Sequence, residues 1–70
     1  MIASPITRKL VREAIAGAKM ARATGDKTEH RAHLMTILEF GTLEDLSTAE
    51  SRPVEPEVRD QLRTIFGFTD

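Results

Sequence analysis

The chain has 70 residues, a formal net charge of −1 and no cysteine. A chain of this length forms one domain at most and buries only about 60% of the surface that its unfolded form exposes, so it is marginally stable alone. Disulfides and thiolate metal sites are excluded, and self-association becomes the expected source of extra stability. We therefore expect a single small helical domain over residues 1–70 that forms a homodimer.

The small net charge conceals a basic first third and an acidic second half. Residues 1–24 carry five Lys or Arg against one acid, whereas residues 34–70 carry three Arg against eight acids. The basic part can close onto the acidic part, pair with a second copy or bind an acidic partner. Charge alone leaves these alternatives open.

Hydropathy argues against a membrane protein. No segment approaches the roughly 20 consecutive apolar residues of a membrane span, and the N-terminus lacks the basic-then-apolar order of a secretory signal. The absence of cysteine fits a reducing compartment. We expect a cytoplasmic protein.

The first predicted helix covers about residues 5–24. Ser4 is a good N-cap, Pro5 suits the first helical position and Gly25 suits the end. At 100° per residue, one face is apolar and contains a stripe of small residues, which permits close approach of a neighbouring helix or a dimer mate. This predicted packing stripe consists of Ala14, Gly17, Ala18 and Ala21.

The second predicted helix covers about residues 27–40. Asp26 and Glu29 match a capping box, and Gly41 suits the end. Its apolar residues are Leu34, Met35, Ile37 and Leu38. The short connection predicts that the first two helices form an antiparallel hairpin.

Two shorter helices are predicted in the second half. Thr42 and Asp45 match a capping box for a helix over about 43–50, and the polar connector 47–56 leads to a helix over about 56–66. The last helix has an apolar stripe of Val58, Leu62, Ile65 and Phe66. No segment alternates as a strand would, so the expected fold is all-α: an antiparallel helical hairpin plus one short and one C-terminal helix in a small bundle.

Metal binding has one weak signal. His30 and His33 lie at i and i+3 on the second helix, with Glu29 beside them. A metal site needs ligands from another element, and the chain has no further His and no Cys. The pattern favours two partly exposed histidines and no cofactor, although a symmetric dimer would bring four histidines together.

Catalytic patterns are missing from the sequence. No Ser, Thr or Cys lies in a nucleophile motif, and no glycine loop of a phosphate site is present. The carboxylates near predicted helix N-termini have a structural explanation, since they favour the helix dipole. We expect no enzymatic activity.

The basic face of the first helix is the predicted partner-binding surface. Residues expected there are Arg8, Val11, Arg12, Ile15, Lys19 and Arg22. With Met20 and the three Phe, they suggest more apolar surface than a monomer buries. We predict a non-enzymatic protein–protein interaction module that regulates or inhibits a larger protein, such as a transcription factor or an enzyme. The alternative is a small nucleic-acid-binding regulator that uses the same basic face.

Overall fold

The computed structural model describes residues 4–68, which form four α-helices. They are α1 (Pro5–Thr24), α2 (Lys27–Phe40), α3 (Leu43–Glu50) and α4 (Pro56–Ile65). No strand occurs within this described part, so the predicted all-α class is confirmed. Over the same residues, no helix combines the length and the apolar character needed to cross a bilayer.

The first three helices begin at side-chain caps that the sequence predicts. The side chains of Ser4 and Asp26 each accept the backbone N–H of the residue three positions later, at 3.1 and 3.0 Å. At α3 the capping box is complete: Thr42 Oγ1 accepts the Asp45 N–H at 3.1 Å and Asp45 Oδ2 accepts the Thr42 N–H at 2.8 Å. These bonds satisfy backbone donors that a helix start otherwise leaves unpaired.

Helices α1, α3 and α4 end in the same way, with a residue in the left-handed region. These residues are Gly25 (φ 76°), Ser51 (φ 58°) and Gly67 (φ 86°). In each case its N–H bonds a carbonyl three residues back, and the next N–H bonds a carbonyl five residues back. This is the Schellman arrangement. Within residues 4–68, Ser51 is the one non-glycine residue with positive φ.

The core lies where α1 packs against α2 and α3. From α1 come mostly alanines, so the helices approach closely, and the His33 imidazole lies so near Gly17 that a Cβ there would overlap it. The predicted packing stripe is therefore covered by α2 of the same chain and does not face a dimer mate. The buried apolar residues are Val11, Ala14, Ala18, Ala21, Leu34, Ile37, Leu38, Leu46, Ala49 and Val54.

Helix α4 is more loosely attached than the others. None of its residues is buried, although Val58 and Leu62 pack against the core from a half-buried position. Ile65, expected in the apolar stripe, is 65% exposed. That expectation is wrong for Ile65, because the contact side of the helix runs through Val58, Leu62 and the following Phe66.

Candidate interaction surface

Arg8, predicted to bind a partner, is used inside the fold. From α1 its guanidinium reaches α3, where Nη1 lies 2.7 Å from Asp45 Oδ2 and Nη2 lies 3.2 Å from Oδ1. Asp45 is only 8% exposed. The hydrogen bond from Arg8 holds the pKa of Asp45 below its usual value, with Thr42 adding to the effect and burial opposing it. The same contact raises the pKa of Arg8.

Arg22 also serves the fold. Its Nη1 donates to the carbonyl oxygen of Ala49 at 3.0 Å, and its Nε lies 3.9 Å from Glu50 Oε2. A cation at the C-terminus of α3 satisfies a free carbonyl and complements the helix dipole. Two of the four cations expected at a partner surface thus join α1 to α3.

The other predicted partner-binding residues divide between surface and core. Arg12 and Lys19 are exposed on α1, and Ile15 is half-buried against the core. Val11 is fully buried. The expectation that Val11 contributes to an exposed surface is wrong, because it lies on the side of α1 that α2 and α3 cover.

A different side of α1 carries the exposed apolar residues. Ile6 is 82% exposed and Met20 is 70% exposed, and Leu10 between them is also exposed. At 100° per residue, positions 6, 10 and 20 lie on one side of the helix. We call Ile6, Leu10 and Met20 the apolar flank. Met20 also lines a groove along the seam between α1 and α2, together with Gly17 and His33.

Sequence reasoning missed this flank because it assigned the apolar residues of the first helix to one face. The spacing of positions 6, 10, 17 and 20 differs from that of 11, 14, 18 and 21, and each set follows helical periodicity. Separating the two sets was possible in principle. Deciding which set a neighbour covers required the tertiary structure.

The two histidines contact different partners. His33 Nε2 lies 3.5 Å from Glu29 Oε2 on α2 itself, whereas His30 Nε2 lies 3.4 Å from Glu50 Oε1 at the end of α3. Among residues 4–68 there is no group of three or more His, Cys, Asp or Glu side chains placed to hold a metal ion. His33 thus lies beside a carboxylate of its own helix, whereas His30 Nε2 is buried near Glu50 without forming a hydrogen bond within the described residues.

Comparison with known proteins identifies no relative. The chain matches no protein-family model, no curated protein and no solved structure. Its function is therefore inferred from its own surface. The exposed features of α1 include the apolar flank and three cations, Lys9, Arg12 and Lys19.

Proposed function

We propose that this protein is a non-enzymatic protein–protein interaction module that binds a larger protein, such as a transcription factor or an enzyme, and regulates or inhibits it. The apolar flank carries the proposal. Ile6 and Met20 remain largely exposed although the chain has few large apolar side chains to spare for its core. Exposed apolar side chains that share one side of a helix can form part of a binding site, and here they extend from Ile6 to Met20 with the exposed Glu13 between them.

The exposed cations of α1 support an acidic region on the partner. Arg12 and Lys19 form no contact that fixes them to α3, in contrast to Arg8 and Arg22. At 100° per residue these two cations lie on a different side of α1 from the apolar flank, so they would act mainly on association rate and partner choice through longer-range attraction. The apolar flank would then provide the affinity.

The proposal includes a homodimer built from helical hairpins. Two residues, Gly25 and Asp26, connect α1 and α2, and these two helices share the largest packing contact. That connection favours the antiparallel hairpin. A second copy would occupy the same apolar flank and bury Ile6 and Met20, so the homodimer is the state of the free protein and the partner replaces the second copy.

The test compares two double variants with matched charge. Ile6→Glu with Met20→Glu places two carboxylates on the apolar flank, and Thr28→Glu with Gln61→Glu places two on exposed positions of α2 and α4. Each full-length protein is immobilised, and proteins retained from cell extract are quantified by mass spectrometry. We expect specific proteins to stay on the wild type and the Thr28/Gln61 variant and to disappear from the flank variant. Equal retention by all three would contradict the proposal.

Duplex DNA tests the alternative function on the same samples. The observation that favours it is the exposure of Arg12 and Lys19. Binding that weakens with salt, and that Arg12→Gln with Lys19→Gln removes, would support a nucleic-acid-binding regulator. No binding at low salt would exclude it.

A further inference from the structure

We propose that α4 is a displaceable helix, and that the surface beneath it on α2 and α3 is a docking site for an amphipathic helix of a partner protein. The proposal rests on the proposed function, because it assumes that the chain binds proteins. It adds to the proposed function a second binding surface on α2 and α3 and the chemical character of the segment that binds there. Helix α4 is the internal competitor for that surface.

Helix α4 is weakly attached to the rest of the fold. Each of the other helices buries at least three residues, and α4 buries none. Its N-cap, Glu55, makes no side-chain cap bond. Arg59 Nε is buried without a hydrogen-bond partner among residues 4–68, which is unfavourable. Segments with so few buried contacts open locally, well below the free energy of global unfolding.

The segment that precedes α4 is anchored to α3. Val54 is buried, and its N–H donates to Ser47 Oγ on α3 at 3.0 Å. The chain is thus anchored up to Val54, and α4 begins two residues later at Pro56. Unwinding of α4 from Pro56 onward would therefore release it and leave the packing of α1, α2 and α3 in place.

Helix α4 contacts the core through apolar residues at helical spacing. Val58, Leu62 and Phe66, spaced i, i+4 and i+8, pack against the core cluster. Arg63 Nη1 donates to the carbonyl oxygen of Leu38, at the end of α2. Here α4 follows the pattern of helix-in-groove recognition, in which apolar anchors at helical spacing enter a hydrophobic surface.

The guanidinium of Arg31, on the docking surface, favours an aromatic residue in the segment that binds there. The Arg31 guanidinium on α2 lies 4.8 Å from the centre of the Phe66 ring, which is a cation–π distance. The partner segment is therefore an amphipathic helix with apolar residues at i and i+4, an aromatic residue at i+8 and a cation at i+5. The cation would replace Arg63 at the free carbonyl of α2.

Hydrogen exchange on the full-length protein tests the opening step. We expect the amides of α4 to exchange at least about tenfold faster than those of Ile37 and Leu38, which corresponds to a difference of about 1.4 kcal/mol in opening free energy. Exchange of α4 as slow as that of α2 would overturn the proposal.

Peptide binding tests the docking site. The probe is a fluorescein-labelled peptide of residues 55–68, added to full-length protein. Arg63→Ala in the full-length protein removes the bond from α4 to the Leu38 carbonyl and leaves the docking surface on α2 and α3 intact. We therefore expect this variant to bind the peptide about tenfold more tightly than the wild type. Arg52→Ala, which removes an exposed arginine of the connector, is the matched control and should bind like the wild type.

A locked protein provides the opposite test. Because the chain has no cysteine, Glu39→Cys on α2 and Arg63→Cys on α4 can be joined specifically by a bis-maleimide linker, since Arg63 reaches the carbonyl oxygen of Leu38, next to Glu39. The linked protein should not bind the peptide, and the unlinked double variant should. Binding by the linked protein would overturn the proposal, and self-association that Phe66→Ala abolishes would assign the site to a second copy instead. Hydrogen exchange, peptide binding and the linked protein all leave the apolar flank unchanged. Failure of the docking site can therefore be distinguished from failure of the proposed function.

Discussion

Asp45 illustrates how one side chain can hold two elements together. Its carboxylate caps the start of α3 and accepts two bonds from Arg8 on α1, while it is almost completely buried. A buried carboxylate is tolerated because charge-assisted hydrogen bonds replace its contacts with water. The residue thus links a local signal, the capping box, to a long-range contact.

Replacing Asp45 by Asn should destabilise the protein by about 2 kcal/mol. Asparagine keeps a cap oxygen but loses the charge that pairs with Arg8. The measurement is urea unfolding at pH 7, and Glu44→Gln, which neutralises the exposed neighbour, is the control. A loss no larger than that of the control would show that the Arg8 contact contributes little.

The same residue predicts a dependence of stability on pH. Since the fold lowers the pKa of Asp45, its contribution is fully present above the unfolded value of about 4 and is lost as the pH falls through the folded pKa. We expect the unfolding free energy of the wild type to fall between about pH 5 and pH 2 more steeply than that of Asp45→Asn. Parallel curves would contradict this assignment.

Gly17 gives a second prediction at the residue scale. Alanine for glycine inside a helix normally stabilises by about 1 kcal/mol, but here the new Cβ would overlap the His33 imidazole. We expect Gly17→Ala to destabilise the wild type and to stabilise a His33→Ala background. Thermal unfolding of the four proteins in a double-mutant cycle measures the coupling. An equal effect in both backgrounds would mean that the His33 side chain moves aside at little cost.

At the scale of elements, the helix ends show where backbone strain remains. Ser51 occupies the left-handed position that Gly25 and Gly67 occupy elsewhere. A side chain at this position is less favourable than glycine, although Ser51 Oγ also accepts a long 3.4 Å bond from Arg22. The end of α3 is thus the one Schellman end of the described chain that lacks glycine.

Ser51→Gly should therefore stabilise the protein by about 0.5–1 kcal/mol. The reverse comparison is Gly25→Ala, where the Cβ meets no atom within 4 Å, so only the backbone conformation opposes it. We expect Gly25→Ala to lower the free energy of unfolding by a similar amount. Chemical unfolding of both variants checks the pair, and a loss on Ser51→Gly would show that the Arg22 contact outweighs the backbone strain.

Arginine side chains also join the elements. Arg22 binds the last turn of α3, and Arg63 binds a carbonyl at the end of α2. With Arg8 on Asp45, the basic first helix closes in part onto the acidic second half of its own chain. Exposed cations on α1 that are not used in this way remain for a partner.

At the scale of the whole molecule, the apolar flank predicts self-association. If Ile6 and Met20 meet a second copy, the melting temperature should rise with protein concentration, because the dimer binds only the folded state. Light scattering should then give a dimer mass for the wild type and a monomer mass for Met20→Glu. A monomer whose melting temperature does not depend on concentration would exclude the homodimer.

The sequence alone was sufficient to predict the helical class and the caps at Ser4, Asp26 and Thr42, because these features depend on local chemistry. A cap depends on residues three or four positions apart, and such signals are legible without any knowledge of the fold. The tertiary structure alone decided which side of α1 is covered, which buries Val11 and exposes Ile6. It also directed Arg8 and Arg22 to α3. Periodicity identifies the faces of a helix, but only the arrangement of its neighbours determines which face loses contact with water.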